Sequence, residues 1–474
     1  MAIFKLPKWA IPVASSKWNT AVVWLVRIVV GCVFVFSGFV KGIDPWGGYY
    51  KLVEYFNAFG FPGLVQVALA CAVALAAFEF VLGVCVLVGA FRRGSIVLLL
   101  LMMCVMLPLT LDLALTHKVA DCGCFGDALV LTNWQSFAKN VVLLLLLLYL
   151  LLFNRRVHGL YGPAVNWVVG LLAVIYICAI AYNGYFTQPL IDFRPYKVGA
   201  KIGVPSTEAE TSDEDYEFIY EKDGRQQAFD LDSLPDDDSG WEYVDRRFKP
   251  GKEPKARTQN APVEIVYRGN DITDMVLPDT GRQLIIAFPR LQDVNISYTF
   301  DINEICDNAK RQGVSFFALT PADTAARAEW RDISMASYPI YNIDESELKT
   351  IVRGNPALVY VENGTVRWKR TLYSLDNTLI RNENYPIAKY DSDHDAAATL
   401  KHLTQALVVA LLILLVFNRT HVLVRALVGH KKPQPDGDDS TGGDEPQDAA
   451  QAAAEQPAAG GDDAAAGDTA NDKE

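Results

Sequence analysis

Long apolar runs crowd the first 186 residues, and one more lies near the end of the chain. They cover about Thr20–Val40, Leu64–Phe91, Ser95–Thr116, Phe137–Phe153, Pro163–Phe186 and Leu403–Phe417, the last continuing with polar interruptions to Val428. A helix needs roughly 20 apolar residues to cross a bilayer, so the pattern predicts six membrane spans. The first run follows Lys5, Lys8 and Lys17 and is not followed by a small-residue cleavage site. It therefore reads as a retained span and not as a removed signal peptide.

Between the fifth and sixth runs the pattern changes. Residues 187–261 are rich in Asp, Glu, Gly and Pro, with strand-like fragments YEFIY and WEYVD, which predicts an acidic, β-rich or partly mobile segment. From residue 262 to 401 strands and helices alternate. QLIIAF (283–288), SFFALT (315–320), YPIYNI (338–343), ALVYVE (357–362) and TVRWKR (365–370) read as strands, with helices over about Ile302–Gln312, Ala322–Ile333 and Glu345–Val352. Asn363-Gly364 between two apolar runs is a hairpin signal. The expected fold is a membrane α-helical bundle with six spans carrying an inserted α/β soluble domain. Its parts are a cytoplasmic N-terminus (1–19), a four-helix bundle (20–155), a fifth transmembrane helix (163–186), the acidic segment (187–261), the α/β domain (262–401) and a sixth helix (403–428). A tail at 433–474, with almost no large apolar residues, is expected to be disordered.

Charge refines this picture. The chain is 51% hydrophobic with net charge −12, and its mean hydropathy is +0.14. Residues 433–474 hold twelve Asp/Glu and one Lys, so the rest is nearly neutral. No basic stripe with interleaved aromatics is present, which argues against nucleic-acid binding. Lys and Arg stay on the cytoplasmic side of a membrane. The N-terminal lysines, Arg92–Arg93, Arg155–Arg156 and the cluster Arg419, Arg425, Lys431 and Lys432 share one side if both termini are cytoplasmic. Residues 187–401, and the loop between the third and fourth runs, then lie outside.

That loop reads DCGCFG at 121–126 and holds Cys122 and Cys124, the one close pair among eight cysteines. Gly123 lets the chain fold so that a disulfide is within reach, and the outer side of the membrane is oxidising. A tight exposed disulfide tends to be labile, so the pair is a candidate for thiol–disulfide exchange. A permanent loop staple and half of a metal site completed by His117 or Asp121 are the alternatives, the latter without a second cysteine pair. Asp121 and Asp127 are expected to oppose thiolate formation, with Lys118 and Lys41 as offsets. Cys32, Cys71, Cys85, Cys104 and Cys178 sit inside apolar runs and read as packing residues, as does Cys306 in the soluble domain.

Four charges lie within or at the ends of the runs. Arg27 and Glu79 are counted at similar depths and are expected to pair; Lys41 and Asp112, level with the cysteine loop, form a second candidate pair. Charges in a membrane are costly unless paired and facing the bundle interior, so these four residues mark either a structural pairing or a proton or quinone site. Ser37 and Gly38 allow close helix approach. Neither a P-loop, a dinucleotide fingerprint nor a nucleophile elbow occurs.

Two stretches carry resemblances. RIVVGCVFVFSGFVKGIDPW (27–46), with Glu79 in AAFEFVLG, resembles the opening of the DoxX family of bacterial membrane proteins. The DCGCFG loop is similar to that of MauE-type relatives, which are linked to disulfide formation in a periplasmic dehydrogenase. DoxX is named for a subunit of a thiosulfate:quinone oxidoreductase, which makes quinone the implied cofactor. Residues 262–372 resemble thioredoxin-like folds, with Pro356 at the family's cis-proline position. Where that family carries its C-x-x-C, this chain reads PRLQDVNISYTF, which implies a docking or binding module. The resemblances imply a bacterial inner-membrane protein in contact with the bilayer, a periplasmic protein client and a membrane electron carrier. The expected function is a thiol–disulfide relay, with a non-catalytic scaffold as the alternative; small-molecule transport has less support, since no internal repeat is visible.

Overall fold

A backbone in hydrocarbon must satisfy its own N–H and C=O groups, which is why apolar runs of this length fold as helices. In the computed structural model of the protein, residues 17–154, 158–202, 216–222, 225–229, 241–248, 263–267, 270–278 and 280–428 are described. The helices of the first part are α1 (Lys17–Ile43), α2 (Pro45–Ala58), α3 (Ala68–Val88), α4 (Gly94–Thr116), α5 (Asn133–Phe153) and α6 (Asn166–Phe186). Among the described residues six helices are long and apolar enough to cross a membrane: α1, α3 with its preceding 3-10 turn from Pro62, α4, α5, α6 and the last helix of the chain. The six expected spans are therefore present, and their outward apolar side chains, such as Leu25, Leu101, Leu145 and Ile413, meet the bilayer. The expectations for the first sixteen residues, Arg155–Arg156, most of 203–262 and the acidic tail fall outside the described residues.

Helices α1 and α3 pack closest, and Gly38 is the reason. A Cβ built there would stand 2.4 Å from the Phe80 backbone nitrogen, so only glycine permits this crossing. One apolar cluster joins α1, α3, α4 and α5 through Val30, Phe34, Leu99 and Leu147. A second joins α3 and α6 through Phe80, Val84 and Ile177 and receives Leu403, Leu407 and Leu411 of the last helix. Helix α2 was not anticipated from the hydropathy pattern. It starts where Asp44 accepts a hydrogen bond from Gly47 N at 2.8 Å and Pro45 occupies the first turn, a helix-start pairing that sequence alone supports. The fourth crossing starts in the same legible way, with Thr132 and Gln135 forming a capping box.

Strands β1 (Tyr216–Lys222), β2 (Arg225–Phe229) and β3 (Glu242–Phe248) form an antiparallel sheet of order β2-β1-β3. The soluble domain that follows contains β4 (Ile265–Tyr267), β5 (Asn270–Asp271), β6 (Arg282–Ala287), α7 (Thr299–Arg311), β7 (Ser315–Thr320), α8 (Thr324–Ser334), β8 (Ile340–Ile343), α9 (Glu345–Ile351), β9 (Ala357–Glu362) and β10 (Thr365–Thr371). Its strands make one mixed seven-stranded sheet of order β10-β9-β6-β7-β8-β4-β5. The pairs β6–β7 and β7–β8 are parallel, whereas β9 runs antiparallel to β6 and to β10. Apolar layers cover both faces, one around Leu284, Phe288, Ile305 and Tyr360, the other around Ile285, Phe317, Leu348 and Val359. Burial on both faces explains why the central strands read as continuous apolar runs. The expected α/β domain is thus present, and the Asn355–Pro356 peptide is cis. The chain ends its described part in α10 (Ala396–Val428), tied to the bundle where Tyr161 donates to the Leu411 carbonyl at 2.9 Å.

The linker from α6 into the soluble domain is pinned by charge. Asp192 accepts from Arg194 Nε at 2.7 Å and from Lys369 Nζ at 2.8 Å. Burial opposes ionisation of Asp192, yet Arg194 and Lys369 hold its carboxyl well below the usual carboxylate range. Burial and Arg194 already pull the Lys369 ammonium down to about 7 with Asp192 beside it, so removing the anion leaves a nearly buried guanidinium unpaired beside an amine that sheds its proton. Asp192→Asn is expected to cost about 3 kcal/mol, read as a lower melting temperature of the detergent-solubilised protein, while Asp192→Glu retains most of that stability.

Candidate functional site

The loop between α4 and α5 is built to turn at Gly123. Helix α4 ends at His117, which adopts φ +52 and is exposed. Asp121 Oδ1 accepts from Gly123 N at 2.8 Å, Gly123 takes φ +62, and Gly126 N closes the turn onto the Gly123 carbonyl at 3.2 Å. Lys51 of α2 lies across the glycine, where a Cβ would meet its Cγ at 2.8 Å, and reaches Asp121 at 3.1 Å. Tyr55 of α2 donates to the Cys122 carbonyl at 3.0 Å. The turn brings the two sulfurs to 2.7 Å, with Cys122 Sγ also 3.0 Å from Ser136 Oγ of α5 and 3.4 Å from Cys124 N. Both cysteines are half-buried.

The two thiols are driven apart electrostatically. The hydrogen bond shared with Cys124 holds the Cys122 thiol down, to about 6, with Ser136, Lys139 and the Cys124 N–H acting in the same sense against burial. Either sulfur can donate in that contact by geometry; the Cys124 thiol is the one pushed well up, first by the bond and then by burial, which favours the proton on Cys124. The shifts favour the thiolate at Cys122 and the thiol at Cys124. The flanking carboxylates oppose this less than the sequence led us to expect. Asp121 is tied to Lys51 and Gly123, and Asp127 to Arg353 at 2.8 Å. The expected offset from Lys118 is replaced: Lys118 pairs with Asp112, and Lys139 with Lys41 supplies the positive field.

The intramembrane charges pair differently from the expectation. Glu79 pairs with Lys41, whose Nζ stands 2.7 Å from both carboxylate oxygens, and both side chains are largely buried. Ser37 Oγ completes the group, 2.7 Å from Glu79 Oε2 and 2.6 Å from the Cys124 carbonyl oxygen. Arg27 is fully buried elsewhere, bonded to Asn154 Oδ1 and to the His158 carbonyl at 3.1 Å, with Trp24 beneath it. Its guanidinium lies beside Gly89, ten residues from Glu79, which is about 15 Å of helix rise. Depth counted from the ends of hydropathy runs was therefore off by about five residues. Asp112 pairs with Lys118 at 3.4 Å and not with Lys41. Cys32, Cys71, Cys104 and Cys178 face outward from the bundle instead of packing inside it, while Cys85 and Cys306 are buried.

The soluble domain reaches the same loop. Arg353, 4% exposed, bridges Asp44 at the start of α2 (3.0 and 2.8 Å) and Asp127 of the cysteine loop (2.8 Å). Its backbone is held in turn by Gln188 through bonds of 3.1 and 2.6 Å. Burial lowers the guanidinium's affinity for its proton, but Asp44 and Asp127 more than restore it. Arg290, at the end of β6, donates to Tyr49 Oη at 2.9 Å and lies over the Trp46 and Tyr49 rings. Asn355, next to the cis bond, donates to the Arg290 carbonyl at 2.7 Å. The end of the domain where strand β6 and Pro356 meet thus sits on α2 and on the cysteine loop. Arg353, Arg290, Ser136 and Lys139 carried no motif; only the tightness of DCGCFGD, with an acid at either end, marked the place they converge on.

Comparison with known proteins agrees with this division of the chain. Residues 214–252 match a family described as a domain of unknown function (DUF8463). No curated protein and no solved structure matches the chain. Residues 19–153, which hold the first four spans, the Lys41–Glu79 pair and the cysteine loop, match the family model of the methylamine utilisation protein MauE, a DoxX-like membrane family, so the membrane part that carries the site is similar to MauE.

Proposed function

We propose that this multi-pass membrane protein is a thiol–disulfide relay component of a bacterial inner membrane, with Cys122 and Cys124 as its exchanging pair. The observation that carries the reading is the pair itself: two half-buried cysteines with sulfurs 2.7 Å apart, Cys122 shifted toward its thiolate and Cys124 toward its thiol. Cys122 as thiolate attacks a client disulfide and expels one client sulfur as a thiolate, forming a mixed disulfide. Cys124 then gives up its proton, attacks Cys122 and releases the second client sulfur, so two electrons pass to the client. Run in reverse, the same steps oxidise a client dithiol. A membrane electron carrier resets the pair: where the pair has oxidised a client, a quinone, the candidate, takes two electrons and two protons from the dithiol, and where it has reduced one, the corresponding quinol returns them to the disulfide. Both termini lie in the cytoplasm in this reading, and the cysteine loop and residues 187–401 lie in the periplasm, which keeps the pair in an oxidising space.

The soluble domain has a place in this scheme. We take it as thioredoxin-like, with Pro356 as its cis-proline and the thiol-free stretch PRLQDVNISYTF (289–300) where that fold carries its C-x-x-C. It brings that thiol-free end to a loop that has thiols, linked through Arg353 and Asp127. The domain would thus supply the client surface and the loop the sulfur chemistry. A second reading, a scaffold whose cysteines brace a loop, draws support from the same docking, because the end that would meet a client is occupied by α2. Differential alkylation of Cys122 and Cys124 in intact cells, with and without a block of the quinone pool, separates the two. The relay predicts a mixed redox state that moves with the block. A pair that stays fully oxidised even when reductant is supplied favours the brace.

A further inference from the structure

Ser37 Oγ stands 2.6 Å from the Cys124 carbonyl oxygen and 2.7 Å from Glu79 Oε2, with Lys41 Nζ at 3.1 Å. A serine hydroxyl has one proton to donate, a carbonyl only accepts and an ammonium only donates. If Glu79 is a carboxylate, two acceptors compete for that single proton, and one oxygen pair is left in close contact with no hydrogen between. If Glu79 is protonated, its O–H donates to Ser37, Ser37 donates to Cys124, and Lys41 donates to the other carboxyl oxygen, so every contact is satisfied. We infer that Ser37 is a positioning residue for the cysteine pair, and that Glu79 sets through the Ser37 hydroxyl whether the Cys124 carbonyl is gripped.

Forming the Cys122–Cys124 disulfide draws the sulfurs from 2.7 Å to about 2.05 Å, so a hydrogen bond fixed on the Cys124 carbonyl weighs on the dithiol–disulfide balance to the extent that it resists this movement. The grip on the Cys124 carbonyl and the redox state of the pair are then linked, each biasing the other. Other groups surround this corner: Lys41 on α1, the two thiols on the loop, Lys139 of α5 near both thiols, and Tyr176 of α6, which stacks on Phe80. Among the described residues Lys41 and Ser37 are the polar partners of the carboxyl group. The inference rests on the exchange reading for its consequence, but not for its geometry.

The test uses the full chain in detergent. Equilibrated with reduced and oxidised glutathione, and read by alkylation of the loop peptide, Ser37→Ala is expected to shift the dithiol–disulfide constant about fivefold, the net effect of one hydrogen bond. Ser37→Thr, which keeps the hydroxyl, restores it. Glu79→Gln, whose amide donates permanently but which also releases the Lys41 charge from its ion pair, shifts the constant clearly less in the Ser37→Ala background than in the wild-type background, the difference being the part that passes through the hydroxyl. An unchanged constant in Ser37→Ala, or additive effects of the two substitutions, overturns the inference. A second readout needs no exchange: amide hydrogen exchange across residues 121–127 of the reduced protein rises about fivefold in Ser37→Ala and returns in Ser37→Thr. A wild-type pair inert to glutathione sinks the relay reading alone, and the amide readout then decides the role of Ser37, for if Ser37→Ala leaves it unmoved the grip does not exist.

Discussion

Arg353→Met is expected to loosen the soluble domain from the bundle by about 3 kcal/mol, the lower end of the range for breaking a buried ion pair. The lower end applies because Asp127, one of its two anions, keeps 39% of its side-chain surface exposed while Asp44 keeps 18%, so water recovers part of the loss. Methionine fills the volume but leaves two carboxylates facing a cationless gap between α2 and the loop. Near 25 °C the change corresponds to about a hundredfold larger undocked population. The readouts are faster proteolysis of the linker at 187–202 and a lower melting temperature of the detergent-solubilised protein. Arg353→Lys keeps the charge but cannot span both anions with one planar fork, so it should fall between. A variant with unchanged proteolysis and melting would show that the Asp44–Arg353–Asp127 bridge does not hold the domain in place.

That bridge also shows where reading the sequence stops. The spans were legible because bilayer thickness fixes their length and hydrocarbon fixes their composition. The central strands β6, β7 and β9 were legible because a sheet covered on both faces needs unbroken apolar runs. Cys122 and Cys124 could be singled out by spacing alone. Their electrostatics could not, since Ser136 and Lys139 come from α5, and Lys51 and Tyr55 from a helix, α2, that the hydropathy pattern passes over as an interfacial stretch. Arg353 and Asp44 are 309 positions apart, and neither lies in a motif. The charges of the bundle mark the limit most clearly. Arg27, Lys41, Glu79 and Asp112 were all recognisable as costly and hence functional or paired, but partner choice depends on helix azimuth and on a depth error of a few residues. Lys41 lies one turn beyond Ser37 on the same face of α1, and that spacing, i and i+4, was the one signal in the sequence that placed it beside the close crossing at Gly38 where Glu79 also lies.

The second large effect concerns Cys122, whose alkylation in the reduced protein is expected to rise with pH through a midpoint near 6 and to level off above it. An ordinary thiol has its midpoint near 8.5. The sign follows from which form is held: donors aimed at the Cys122 sulfur favour its thiolate, so reactivity is lost as pH falls below the midpoint. The shared bond with Cys124 is the largest cause, so Cys124→Ala should raise the midpoint by more than one unit, and Ser136→Ala by less. Cys124→Ser keeps a donor and should fall between. The rate at pH 7 is a poor reporter of this. Losing thiolate fraction slows alkylation, but the more basic sulfur is intrinsically more nucleophilic, with a Brønsted slope of about 0.4–0.5, and roughly half of the logarithmic change cancels. The midpoint has no such cancellation. Followed by mass spectrometry on the loop peptide, a wild-type midpoint above 8 would mean that the two sulfurs share no proton, and a pair without that asymmetry has no means of separating an attacking sulfur from a resolving one.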